Sequence, residues 1–202
     1  MLICVDIGNT HIVLGFYQDS VLLKSFRLKT DANTTEDEYG VKLLDILDFL
    51  EVSPLDIESA IISSVVPALD SLFERAMRQY LKVEPIFVGP GLKSGIAIKI
   101  EDPRQLGADL LVGAVAAVHK YGAPAIIVDM GTATTLSVVS EKKEFLGGII
   151  LPGVLSSYES LVKATSKLES VRFEQPKNLI GKNTINSLQS GMIYGQSAMI
   201  DG

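Results

Sequence analysis

Three aspartates, Asp6, Asp109 and Asp129, have neighbours suited to chemistry. Asp6-Ile7-Gly8-Asn9-Thr10 stands between two apolar runs, Leu2-Ile3-Cys4-Val5 and residues 12–17. The pattern reads as strand, tight turn, strand. A carboxylate at a strand end, beside a glycine and two short polar side chains, can cradle a phosphate and its metal. Gly8 can take positive φ and let a ligand approach the backbone, and Asn9 and Thr10 offer hydrogen bonds. An ordinary hairpin turn uses the same residue types. The motif has an echo in Val128-Asp129-Met130-Gly131-Thr132-Ala133. Each copy follows a β-rich run, carries Asp-x-Gly plus a hydroxyl or amide, and leads into another strand. Two such hairpins could grip a polyphosphate tail from opposite sides, although Asp-x-Gly is short enough to recur by chance. Asp109, early in a helical pattern, reads by itself as a solvated aspartate stabilised by the helix dipole. His11 and His119 fit no metal-ligand or triad spacing.

The elements that must position these residues follow in order. A third strand is expected over residues 21–28. Thr35 followed by Glu38 is a capping box that opens a helix to about Glu51, stopped by Ser53-Pro54. Residues 59–66 read as a buried strand, Pro67 opens a helix to about Leu81, and 85–88 is another strand. A Gly/Pro-dense loop covers 89–95, and a short strand 96–100. Asp102-Pro103 is expected to start a helix running to about Tyr121. Strands at 125–128, 134–139 and 145–150 follow, the last two around Glu141-Lys142-Lys143. Pro152-Gly153 leads into a helix to about Lys167. A polar stretch over 177–186 precedes a last helix from near Ile185. This order is α/β with mixed sheets.

The 202 residues, 47% hydrophobic and 21% charged, suit a folded chain with a sizeable core. Net charge is −6 with no long Lys/Arg run, so composition gives no support to nucleic-acid binding. The single cysteine, Cys4, excludes a disulfide within the chain and reads as a buried small hydrophobe, which suits a reducing cytoplasm. The N-terminus lacks a basic n-region, and no stretch approaches the ~20 apolar residues of a membrane span.

Four motifs occur in order: Asp6-x-Gly8-Asn9-Thr10, Pro103-x-x-x-Gly107-Ala108-Asp109, Asp129-Met130-Gly131-Thr132-Ala133-Thr134-Thr135 and Gly147-Gly148-x-x-x-Pro152-Gly153. Together they resemble type III pantothenate kinase, within the actin, Hsp70 and sugar-kinase ATPase superfamily, over essentially the whole chain. The resemblance implies two RNase-H-like lobes, 1–105 and 106–202, with mixed sheets flanked by helices and ATP bound between them. It implies phosphorylation of pantothenate, the first step of coenzyme A synthesis, in a cytoplasmic homodimer. Asp6, Ile7, Gly8, Asn9, Thr10, His11, Ile12, Val13 and Thr132 would contact ATP. Asp6 would help hold Mg²⁺ through water, and Asp129 a monovalent cation, K⁺ or NH₄⁺. Gly107, Ala108, Asp109 and Leu110 would bind pantothenate, with Thr184 and the position of Ile100 as further contacts. Asp109 would be the base that accepts the hydroxyl proton. Thr184 could equally cap a helix. Gly147-Gly148 and Pro152-Gly153 are expected to shape the backbone beside the site.

Three departures stand out. The family often has Arg where this chain has Leu110, and Arg104 one turn earlier could supply that charge. It often has Tyr where this chain has Ile100. Family chains usually continue by about one helix–strand–helix unit, so the second lobe is expected to be incomplete. Two rival functions remain in view: a kinase for another small hydroxylated substrate, and a non-catalytic regulator built on the same fold.

Overall fold

The structure is a computed structural model that describes residues 1–89 and 91–202. Pro90, within the expected Gly/Pro-dense loop, lies outside the described residues.

Two apolar runs whose burial alternates residue by residue build the first sheet. Strands β1 (Leu2–Ile7) and β2 (His11–Gln18) pair antiparallel, with Ile7 opposite Ile12. Ile3, Ile7, Ile12, Leu14 and Phe16 are fully buried on one face, whereas Leu2, Cys4 and Asp6 alternate onto the other. Strand β3 (Val21–Lys29) extends the meander, and β4 (Ser59–Ser64) and β5 (Pro85–Phe87) add parallel strands, giving the order β3-β2-β1-β4-β5. β1 is therefore held on both sides.

Helix α1 (Glu36–Phe49) starts at the expected capping box: the Glu38 amide donates to Thr35 Oγ1 at 3.3 Å and the Thr35 amide to Glu38 Oε2 at 2.9 Å. Helix α2 (Pro67–Ala76) continues into a wider turn over Met77–Leu81. Tyr39, Leu43 and Leu47 of α1 and Leu69 and Phe73 of α2 close over the buried face of β1, β2 and β4. Each such side chain contributes roughly 1.5–3 kcal/mol on burial. The two helical segments meet so closely that a Cβ on Gly40 would overlap the Tyr80 ring.

The second sheet has the order β6-β9-β8-β7. Its strands are β6 (Ala97–Ile98), β7 (Ala125–Met130), β8 (Ala133–Val139) and β9 (Glu144–Pro152). β8 and β9 are joined by the expected turn, where the Lys143 amide donates to Ser140 O at 2.9 Å. The strand expected over 96–100 shrinks to two residues. Helix α4 spans Val154–Ala164. Near the end of the chain, α5 (Thr184–Ser190) and α6 (Gln196–Asp201) flank a wide turn at Gly191–Gly195.

One expected helix starts late. Asp102 and Pro103 form only a single 3₁₀ turn, Pro103–Gln105, with Asp102 Oδ1 accepting from the Arg104 amide at 3.1 Å. Leu106 and Gly107 are extended, and helix α3 runs from Ala108 to Tyr121. The Asp-Pro signal is satisfied locally, so it starts a turn without committing the following residues to a helix.

By packing, the chain divides into two compact units. One comprises Met1–Ile126 with Ser137–Gly147, the other Ile127–Leu136 with Gly148–Gly202. Among the described residues no helix is long and apolar enough to cross a membrane.

Candidate functional site

The first hairpin turns over three residues, Gly8 to Thr10. The Gly8 amide donates to His11 O at 3.0 Å. Positive φ is not what Gly8 supplies, since the glycines in that region are Gly91, Gly95, Gly122 and Gly147. Gly8 instead permits a close approach: a Cβ there would lie 3.1 Å from His11 O. Ile7 and Ile12 are fully buried, so they can offer a phosphate main-chain groups only. Asp6, Asn9, Thr10 and His11 are exposed around the turn. Thr30, which carried no recognisable signal in the sequence, braces the turn from the end of β3. Its Oγ1 donates to Gly8 O at 2.6 Å and its amide to Thr10 O at 3.1 Å.

Asp109 is brought to the same end of the same sheet. β4 runs parallel to β1, and the Val65 amide just beyond it donates to Ile7 O at 3.0 Å. Gly107, which precedes α3, sits against Val65: a Cβ built on it would lie 3.7 Å from Val65 Cγ1 and collide with Asp109 Oδ1. Glycine thus leaves room for the Asp109 carboxylate to fold back over the helix start. That carboxylate is half-buried, and its Oδ1 accepts from the Leu110 amide at 2.8 Å. Ala108 is buried under the first turn. Arg104, considered as a stand-in for the missing Arg at Leu110, is engaged with Asp102 at 2.9 Å. This pairing raises the guanidinium pKa and holds the Asp102 carboxyl below the ordinary range. Ile100 is half-buried, with its Cγ2 near Gly147.

In the other unit, the second hairpin turns over two residues, Gly131 and Thr132, with the Gly131 amide donating to Ala133 O at 2.9 Å. Asp129 and Thr132 are both exposed. The Thr132 carbonyl accepts from the Gly153 amide at 3.0 Å and from Ser156 Oγ at 2.8 Å. A Cβ on Gly153 would lie 2.6 Å from Thr132 O and overlap the Gly131 carbonyl. The Pro152-Gly153 step is therefore a backbone support for this turn. Thr184 does not cap α5. Asn183 does, accepting from the Asn186 amide at 2.8 Å, and Thr184 is the exposed first helical residue.

Among the described residues no group of three or more His, Cys, Asp or Glu side chains is placed to hold a metal. Single exposed carboxylates at Asp6 and Asp129 fit hard cations that take their remaining oxygens from phosphate, carbonyls or water. A cavity of about 810 Å³ opens at the opposite end of β1, lined by Leu2, Cys4, Tyr17 and Glu58. It contains none of the expected site residues. Cys4 there is half-buried, which pushes its thiol pKa up.

The sequence model of the family described as type III pantothenate kinase matches residues 2–202. The chain belongs to that family. It is thus a member of a kinase family, and the family implies ATP use. Solved structures show the same fold. One, described as a candidate Baf family transcriptional activator from Campylobacter jejuni, aligns with TM-score 0.58 and 21% identity over 98% of this chain and 77% of its own. Another, described as a candidate 2-dehydro-3-deoxygalactonokinase from Sinorhizobium meliloti, aligns with TM-score 0.53 and 14% identity over 82% of this chain and 58% of its own. The fold is that of the actin-like ATPases, with two mixed sheets flanked by helices.

Proposed function

We propose that this kinase-family chain transfers the γ-phosphoryl group of ATP to the primary hydroxyl of pantothenate, the first step of coenzyme A synthesis. The observation that carries the reading is the meeting of Asp109 and the Asp6 hairpin at one end of the first sheet, through Val65 and Gly107. The hydroxyl oxygen bonds to the γ-phosphorus as the bond to the bridging oxygen breaks, and ADP leaves. The hydroxyl proton passes to the Asp109 carboxylate. The Leu110 amide on Oδ1 fixes that carboxylate's orientation, so Oδ2 is assigned to the proton. Amides and side chains of residues 6–13, with Thr132, bind the ATP phosphates. Mg²⁺, when bound, would neutralise phosphate charge, and Asp6 would hold it through water. Asp129 holds K⁺ or NH₄⁺, and Gly107, Ala108, Leu110, Ile100 and Thr184 contact pantothenate.

The same reading divides the chain into lobes 1–105 and 106–202, places it in the cytoplasm, and makes it a homodimer in which Val112, exposed on α3, is covered by a second copy. ADP formation, measured with and without pantothenate in K⁺, NH₄⁺ and Na⁺, tests it. Pantothenate-dependent ADP release in K⁺ and NH₄⁺, lost in Na⁺, is expected. Turnover with a different hydroxylated acceptor and none with pantothenate would reassign the substrate.

A further inference from the structure

Ser63 is 6% exposed, and its hydroxyl has no hydrogen-bond partner among the described residues. A buried hydroxyl left unpaired costs folding free energy, and an alanine would fill the same strand position without that cost. The position of Ser63 gives the hydroxyl a use. In the parallel pairing of β1 with β4, Ser63 stands opposite Asp6. Ile3, Val5 and Ile7 share the core face with Ala60 and Ile62, so Asp6 and Ser63 lie side by side on the other face. One pair back on that face are Cys4 and Ile61, and one position on is Val65, against which Gly107 rests. The polar side chain nearest in register is therefore the Asp6 carboxylate. Paired strands stand about 4.8 Å apart, within reach of a Ser–Asp hydrogen bond after a change of rotamer.

We propose that Ser63 is a positioning residue for Asp6: in the nucleotide-bound state its O–H donates to the Asp6 carboxylate and fixes the direction in which that carboxylate meets the phosphate-bound cation. The proposal rests on reading the first hairpin as the phosphate cradle. It does not depend on which alcohol accepts the phosphoryl group.

The test compares the full chain with its Ser63→Ala and Ser63→Thr variants. Calorimetry reads affinity for ATP with Mg²⁺ and for ATP in a chelator, and thermal unfolding reads the ligand-free stability. Ser63→Ala should unfold at the same or a higher temperature than the parent and bind Mg·ATP about tenfold more weakly, the scale of one hydrogen bond to a charged group. Binding in chelator should change less, and Ser63→Thr should restore most of the loss. Unchanged Mg·ATP affinity in Ser63→Ala overturns the proposal. So does a loss that Ser63→Thr fails to restore and that comes with a lower unfolding temperature, since that pattern marks packing alone. A parent chain that binds Mg·ATP but does not phosphorylate pantothenate defeats the substrate assignment, and the Ser63 comparison still decides the proposal. A parent chain that binds no Mg·ATP overturns both.

Discussion

The two Asp-x-Gly hairpins share a sequence pattern and differ in what holds them. The first lies on β1, paired by β2 on one side and β4 on the other, with Thr30, just past β3, bonding into its turn and Val65, just past β4, bonding to Ile7 where the turn begins. The second lies on β7, which among the described residues is paired by β8 alone, and its turn is braced by Gly153 and Ser156 at the start of α4. The environments differ accordingly. Ile3 and Ile7 on β1 are fully buried, whereas Ile126 on β7 is 70% exposed and Met130 55%. A short polar turn is thus a local property, and its rigidity is a property of the elements beside it. The two glycines also differ in function: Gly8 eases one carbonyl contact within its own hairpin, while Gly153 lets a second element rest on a turn it does not belong to.

The largest expected effect tests whether the first hairpin and α3 make one working centre. Asp109→Asn should lower kcat by roughly 10²–10⁴ with ATP affinity little changed, the usual scale for loss of a general base. Steady-state ADP release with pantothenate checks it, and near-normal turnover would remove Asp109 from that role. A smaller effect sets the two turns against each other. Gly153→Ala, whose new Cβ meets backbone that cannot turn aside, should cost about 1–3 kcal/mol of stability. Gly8→Ala, with a single contact at 3.1 Å, should cost less. Denaturant unfolding of both variants decides it, and equal losses would erase the distinction. Thr30→Val should cost about 1 kcal/mol by removing the hydroxyl donor to Gly8 O while keeping its shape.

The smallest effect is electrostatic. Glu38 is held below the ordinary glutamate range, first by the Thr35 amide and then by the Thr35 hydroxyl. Glu36 is held down by a backbone hydrogen bond and Arg75, and Glu84 by Arg78. A depressed folded-state pKa contributes stability above the unfolded value and loses it as pH falls through the folded one. All three carboxyls belong to the unit that carries the first hairpin. Acid should therefore loosen that unit progressively below the ordinary carboxylate range, and Glu38→Gln should flatten the slope. Hydrogen exchange resolved by residue, followed from neutral pH downward, measures both.

Much of the fold was legible because it is encoded at short range. The apolar runs at residues 2–5 and 12–17 around a polar turn, and the Thr35–Glu38 box, needed nothing beyond a few neighbouring residues, and each stands in the structure where its spacing put it. The Asp102-Pro103 signal was also genuine, yet it yielded only a 3₁₀ turn. A capping pattern reports how a turn can begin, and whether the helix continues depends on residues beyond the reach of that signal. Asn183 displaced Thr184 as a cap for a similar reason, since two adjacent residues could each supply the oxygen and only the backbone conformation selects one. Thr30, Val65 and Ser63 left no trace in any local pattern. A lone threonine after a strand or a serine inside one is common, and their importance comes from residues 20 or more positions away.

The sequence by itself determined the two polar turns, the aspartates they carry and the family to which their spacing belongs. These depend on residue type and on short intervals along the chain. Only the tertiary structure decided that β4 lies parallel to β1, which sets Ser63 beside Asp6 and carries Gly107 and Asp109 to the same end of the sheet. Strand pairing across more than 50 residues is selected by the burial of Ile3, Val5 and Ile7 with Ala60 and Ile62 in one core. That choice is collective and belongs to no single motif.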